Sequence, residues 1–362
     1  MMKHRAAALA LCGLMVCAGG CATPQLQTPG ATATDIQKEA ETQRRFAFEH
    51  ARDERLKVLS LGYPLTTAAA DLCGENIAGV TGALLWSAHD YTGDDEKVAR
   101  SDFDIHDGYS ILAVMEGSPA AKAGLKPGDR LLNLDGQDLP DAKKAALRII
   151  HDHLKEAYQK NRPIPYDIRR NGVFHHIDVA VLPACNYQAN VVRSEAVNAY
   201  ADGEDMFVTT GLMNFIRSEE ELALVMGHEL SHNFLGHISA KERNSIIGLG
   251  AGVLLDAVVI ATTGVNAGLY RRGEAAGALA FSVAFEQEAD YAGLYVMRRA
   301  GYDIDGVAEF WRRMALDNSR QINTRTDHPA SAERFVALEQ AVKEIKAKES
   351  AREPLVPNLK KH

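Results

Sequence analysis

Residues 222–237 read LALVMGHELSHNFLGH, an apolar run that holds His228, Glu229 and His232. Ser218 followed by Glu219, Glu220 and Glu221 has the form of a capping box, with acidic residues at the positive end of a helix. Leu222, Leu224, Val225, Leu230 and Phe234 supply core contacts, so the stretch predicts a helix. Histidines at i and i+4 project to one side and can share one zinc ion, while the glutamate between them can act as general base on a water. That spacing also arises by chance on helices, so a third ligand has to decide.

A histidine six residues after the second one would fall at position 238, which is Ile238, and the glycine that goes with that pattern would fall at Leu235. His237 is one residue off and, at a helix end, reads as a partner of the C-terminal dipole. The other option is AFSVAFEQEADYAGLYVMRRAGYD, residues 280–303, a helix-like run anchored by Phe281, Phe285, Leu294 and Val296. It carries Glu286 and Asp290 at i and i+4, on one helix face. Glu286 can complete a His-His-Glu zinc site with an open fourth position, and Asp290 can orient a ligating histidine from behind. Glu288 faces elsewhere and reads as a surface residue. The plain alternative for Glu286 and Asp290 is a solvated acidic face.

A chain of 362 residues with 46% hydrophobic and 24% charged residues has room for two domains and a sizeable core. Its start, MMKHRAAALALCGLMVCAGGCATPQ, has basic residues at Lys3 and Arg5 and then an apolar stretch from Ala6 to Val16 that is too short to span a bilayer. It reads as a secretory signal. Ala18-Gly19-Gly20-Cys21 resembles a bacterial lipobox, which implies cleavage after Gly20, lipidation of Cys21 and, with Ala22 next, sorting to the periplasmic face of the outer membrane. Ordinary secretion with Cys21 incidental is the alternative. Residues 22–34 are small, polar and Pro/Gly-containing, as a flexible tether is. Removing residues 1–20 takes away Lys3 and Arg5 and moves the formal charge from −8 to −10, leaving no basic stripe for nucleic acid. Cys73 and Cys185 then remain, and in an oxidising periplasm they invite a disulfide, with two free thiols as the alternative.

From Asp35 to Leu61 a charged helical run carries a thin apolar stripe, expected to lie on another domain and to break at Gly62-Tyr63-Pro64. Residues 108–139, GYSILAVMEGSPAAKAGLKPGDRLLNLDGQDL, read as a strand, a Ser-Pro helix start, a Lys126-Pro127-Gly128-Asp129 turn and a second strand. This segment resembles a PDZ domain of the bacterial protease-associated kind, with residues 141–160 as its long helix and a closing hairpin that turns at Asn171-Gly172. Such modules take an extended peptide, often a C-terminus, as an added strand. Gly82, Ala83 and Leu84, in TGALLWS, are the candidates for the peptide-facing loop and strand. His151 with His153, and His175 with His176, point to different faces in pairs and read as structural or surface residues. Cys73 precedes this block and Cys185 follows it, so a disulfide would staple the two ends of an inserted module.

Together the motifs resemble the gluzincin metalloendopeptidases of the HtpX, BepA and CAAX-prenyl-protease family over roughly residues 190–340. VNAYADGEDMFVTTGLMNF (197–215), SEEELALVMGHELSH, FEQEADYAG and DHPASAERFVAL (327–338) carry the resemblance. It implies one Zn2+ per chain held by His228, His232 and Glu286, with Glu229 as base and Asp290 behind a ligand. It further implies that His328 and Arg334 polarise the scissile carbonyl or stabilise the oxyanion, or that His328 caps the zinc at rest. Asn198, Ala199 and Tyr200 become the edge strand that pairs with substrate backbone.

Residues 246–270, IIGLGAGVLLDAVVIATTGVNAGLY, approach a membrane span in length but are Gly-rich and carry Asp256 and Asn266. Because the helices on either side must share a metal, an apolar lid or hairpin over the cleft is expected, with a bilayer span or shallow membrane contact as the alternatives. The expected architecture is α+β: an α-rich gluzincin peptidase domain with a small edge sheet, plus an inserted PDZ-like β-rich module. The boundaries are a signal at 1–20, a tether at 21–34, a helical segment at 35–73, the PDZ-like module at 74–183, the peptidase at 184–345 and a polar tail at 346–362. The expected function is a lipid-anchored periplasmic zinc endopeptidase for unfolded or misassembled envelope proteins, with a peptide C-terminus bound at the PDZ-like module. Its rival is a PDZ-bearing chaperone or assembly factor with a latent zinc site.

Overall fold

The computed structural model describes residues 28–103, 105–263, 268–269, 271–272, 282–317 and 332–360. The expected signal segment, Cys21 and His328 lie outside them. The chain divides into two units, residues 1–43 and 44–362. In the first, helix α1 (Ala33–Ala68) starts behind a reciprocal cap: the Asp35 amide donates to Thr32 Oγ1 at 3.1 Å, and that hydroxyl donates to the Asp35 carboxylate at 2.6 Å.

In the second unit α1 runs on through Gly62-Tyr63-Pro64, where the sequence predicts a break. Proline inside a helix costs about 3 kcal/mol. Against that, Val58, Leu61 and Leu65 are buried in the main core, each such side chain contributing about 1.5–3 kcal/mol. Packing therefore overrides the breaker. Thr66 and Thr67 hydroxyls donate to the carbonyls of Gly62 and Tyr63, both at 2.8 Å.

The inserted module is a five-stranded antiparallel sheet in the order β2-β3-β4-β5-β6, made by β2 (Ala83–Trp86), β3 (Ser110–Val114), β4 (Arg130–Leu134), β5 (Ile164–Arg170) and β6 (Val173–Val179). Helices α2 (Asp94–Phe103), α3 (Pro119–Ala123) and α4 (Lys143–Gln159) flank it. Alternation along β5 turns Ile164, Tyr166 and Ile168 into a core shared with Ile111, Leu134 and Val179. Asn171 and Gly172 both take positive φ, 49° and 81°, as a two-residue hairpin turn requires. Strand β2 lies at the sheet edge, so one side of its backbone is outside the ladder. A two-stranded ribbon, β1 (Ile77–Val80) with β7 (Leu182–Cys185), carries the chain in and out of the module, and a Cys73–Cys185 disulfide closes its foot.

The remaining segment has a small sheet in the order β8-β10-β9, from β8 (Ala189–Val192), β9 (Ala199–Ala201) and β10 (Met206–Thr209). Helices α5 (Thr210–Phe215), α6 (Glu219–Phe234), α7 (His237–Thr263), α8 (Ser282–Arg299), α9 (Val307–Asp317) and α10 (Ala332–Ala351) follow. Leu222, Leu224, Met226 and Leu230 of α6 form one core with Leu294 to Met297 of α8, Phe310 and Trp311 of α9, and Leu338 and Ile345 of α10. The segment expected to fold as a lid or hairpin is helical through Thr263, and Ile246, Ile247, Val253, Leu254 and Leu255 are each more than half exposed. Among the described residues no helix is long and apolar enough to cross a membrane. The C-terminal stretch, expected as a polar tail, turns back after α10: Lys348 Nζ donates to the Val356 carbonyl at 2.6 Å and the Asn358 amide to Tyr291 Oη at 2.9 Å.

Candidate active site

Helix α6 starts where Ser218 Oγ accepts the Glu221 amide at 3.3 Å, and every residue from Leu222 to Asn233 is buried. A helix apolar on all sides belongs inside a fold. Burial carries His228, Glu229 and His232 inward too, at 0%, 2% and 1% exposure. Helix α8 crosses α6 at two glycines: a Cβ on Gly293 would stand 2.9 Å from both the Gly227 carbonyl carbon and the His228 nitrogen. Close crossing brings Glu286, which is fully buried, onto the two histidines.

His228 Nε2 and His232 Nε2 are 3.0 Å apart; the first is 3.3 Å from Glu286 Oε2 and the second 3.3 Å from Glu286 Oε1. Donors about 2.0–2.1 Å from one ion at tetrahedral angles lie roughly 3.3 Å apart, and two imidazole nitrogens with a carboxylate that stands at that distance from each through one of its oxygens fit zinc. The same three residues form the one cluster able to hold a metal ion found among the described residues.

Behind the donors stands a buried relay. Asp290 Oδ1 meets His228 Nδ1 at 2.8 Å, and Arg334 grips Asp290 with Nε at 2.5 Å and Nη2 at 2.9 Å. Burial alone would raise the Asp290 carboxyl, yet Arg334 and then His228 hold it below its ordinary range. Arg334 is itself 2% exposed, lies over the Trp311 ring at 4.4 Å and has Nη1 3.6 Å from Glu286. The family resemblance gave Arg334 a place at the scissile carbonyl. In the structure its guanidinium pairs with Asp290 and lies near Glu286, two buried carboxylates that need a counter-charge.

Lys241 and Asn233 escaped the sequence reading, and His237 has partners that it did not give. His237, taken as the C-terminal end of the first helix, instead opens α7, and its Nδ1 is 3.0 Å from His232 Nδ1. Its Nε2 is 3.4 Å from Glu288, which is exposed as the sequence reading has it. Lys241 Nζ lies 3.7 Å from Glu286. Asn233 takes the Gly203 amide on Oδ1 at 2.9 Å and donates Nδ2 to the Asp205 carbonyl at 3.0 Å, tying α6 to the β9–β10 hairpin. A glycine at 236, with φ +69°, was the available signal that the chain turns after α6.

Of the residues expected to bind substrate, Ala199 and Tyr200 lie on β9, the outermost strand of the small sheet, with Asn198 one residue ahead of it. Tyr200 is 38% exposed and stacks on Phe207. In the other module Gly82 sits at φ +81° just before β2, which begins at Ala83 and includes Leu84.

A His-Glu-x-x-His helix with a carboxylate from a second helix as third donor is the donor arrangement of gluzincin zinc metallopeptidases. Residues 170–342 match the model of peptidase family M48 and residues 110–156 that of a PDZ domain. It is 28% identical over 182 residues to the mitochondrial metalloendopeptidase OMA1 of Schizosaccharomyces pombe, covering 48% of this chain and 51% of that one. Over 141 residues it is 28% identical to the beta-barrel assembly-enhancing protease of Yersinia pestis, covering 37% and 29%. To the metalloprotease LoiP of Escherichia coli it is 32% identical over 157 residues, covering 41% and 59%. The chain thus spans between 29% and 59% of the length of these relatives.

Proposed function

We propose that the protein is a zinc-dependent endopeptidase acting on unfolded or misassembled proteins of the bacterial envelope, anchored through Cys21 to the periplasmic face of the outer membrane. The observation that carries the reaction is the convergence of His228 and His232, 3.0 Å apart at Nε2, on Glu286, whose Oε2 and Oε1 stand 3.3 Å from the one and the other, with Glu229 beside them on the same helix as the histidines. A zinc ion in that donor set would polarise the scissile carbonyl and make water a nucleophile at neutral pH. Glu229 takes the proton that water loses as its oxygen bonds to the carbonyl carbon. It then delivers that proton to the leaving nitrogen as the C–N bond breaks. Strand β9 offers its free edge to an extended substrate backbone, which aligns the peptide beside α6.

Asp290 keeps His228 in the tautomer whose Nε2 is a donor, and Arg334 keeps Asp290 ionised. Arg334 is therefore assigned a positioning role, while His328 keeps the proposed task at the carbonyl or as a cap at rest. The free edge of β2, with the Gly82 loop, supports capture of a peptide C-terminus by the PDZ domain. The beta-barrel assembly-enhancing protease among the relatives supports the envelope quality-control reading by its name.

The test is zinc content alongside cleavage of an unfolded protein by residues 22–362 and by the Glu229→Gln and Glu286→Ala variants. One zinc per chain, kept in Glu229→Gln and lost in Glu286→Ala, with cleavage abolished in both, is the expected result. Zinc without cleavage in the unmutated protein would move the reading to a PDZ-bearing chaperone.

A further inference from the structure

We propose that His237 is a positioning residue for the zinc ligand His232, fixed in its turn by Glu288, so that the first turn of α7 sets the metal affinity of the site. The inference rests on the metal-site reading above. It starts from the turn at Gly236, whose φ of +69° lets α7 begin at once and sets His237 against His232 near the end of α6. His237 is 2% exposed and its ring stacks on Phe285 at 4.6 Å and 18°, one residue ahead of Glu286. It is held between the two helices that supply all three donors.

The hydrogen-bond roles follow from the tautomers. His232 directs Nε2 at His228 and Glu286, so as a metal ligand it carries its proton on Nδ1. That N–H donates to His237 Nδ1 at 3.0 Å, which accepts only if His237 carries its own proton on Nε2. The Nε2–H in turn points at Glu288 Oε2, 3.4 Å away. A carboxylate, an imidazole and a ligating imidazole therefore form one directed chain, the counterpart on His232 of what Asp290 does for His228. Such a partner raises the basicity of the ligand and locks its ring plane, and its removal typically lowers metal affinity about 10- to 100-fold. Lys241, one turn further along α7, has Nζ 3.7 Å from Glu286, so the start of that helix bears on a second donor.

The experiment measures zinc dissociation constants by chelator competition on the full chain and its variants, with melting of the metal-free forms recorded in parallel. His237→Phe keeps a planar ring against Phe285 but removes the acceptor, whereas His237→Gln restores an acceptor. The expected result is a dissociation constant raised about 10- to 100-fold in His237→Phe and substantially recovered in His237→Gln, with a smaller loss in Glu288→Gln. Wild-type zinc affinity in His237→Phe overturns the proposal. Equal weakening in His237→Phe and His237→Gln, with matching falls in the melting temperature of the metal-free forms, also overturns it, since the residue would then only fill space. Absence of zinc from the unmutated chain, or its retention in Glu286→Ala, instead overturns the metal-site reading underneath.

Discussion

Gly227 and Gly293 meet backbone to backbone where the two donor-bearing helices cross, and this contact sets the distance from Glu286 to the histidines. A Cβ on Gly293 would lie 2.9 Å from the His228 nitrogen. Gly293→Ala is therefore expected to push α8 away from α6, to cost about 1–3 kcal/mol in stability and to weaken zinc binding. Urea unfolding and zinc titration check both, and a variant with unchanged zinc affinity would mean that the crossing can relax without moving Glu286.

Asp290 and Arg334 are 3% and 2% exposed and neutralise one another. Asp290→Asn leaves a buried guanidinium short of its partner, an expected loss of about 3–5 kcal/mol, and lowers zinc affinity about 10- to 100-fold by releasing His228. Replacing both, Asp290→Leu with Arg334→Met, is expected to regain much of the stability without regaining zinc affinity. Recovery of zinc binding in that double variant would show that Asp290 acts on the fold and not on His228.

Asn233 holds the hairpin that carries β9 against α6. Asn233→Ala leaves the Gly203 amide and Asp205 carbonyl without that side chain, at about 1 kcal/mol each. The expected outcome is a rise of roughly tenfold in KM for an extended peptide, with zinc content unchanged. A fall in kcat with constant KM would count against β9 as the strand that aligns substrate.

The PDZ domain has its own electrostatic anchor at Asp135, which takes φ +55° and accepts from Arg162 at 2.9 and 2.6 Å and from His153 at 2.9 Å. Arg162 foremost, and also His153, hold its carboxyl below the ordinary value. A carboxylate depressed on folding stabilises fully above its unfolded value, near 3.9, and that contribution is lost as pH falls through the lower folded value. Asp135→Asn, which suits the left-handed backbone, is expected to cost about 1 kcal/mol at pH 7 and progressively less as pH is lowered from 5 toward 2. Thermal unfolding across that range tests it, and a cost independent of pH would contradict the assignment.

The local elements were legible because their determinants are local. Ser218 and the apolar pattern mark α6, Ser118 with Pro119 marks α3, and Asn171-Gly172 marks the hairpin. The i, i+4 spacings of His228 with His232 and of Glu286 with Asp290 put each pair on one face of its helix, which chain geometry alone guarantees. Where those faces point is a different matter. Helix α1 passes through Pro64 because its buried side is packed, a gain absent from any window around the proline. Arg334 reads as a substrate contact from the family resemblance, and the burial of Asp290 and Glu286 adds a counter-charge requirement around it. His237 and Glu288, 51 residues apart, meet only because α6 and α8 cross at two glycines and the chain turns at a third. The sequence by itself determined which groups could hold a metal and which faces carry them. Tertiary packing alone decided their partners, because charge compensation and tautomer choice depend on neighbours that burial brings together across the chain.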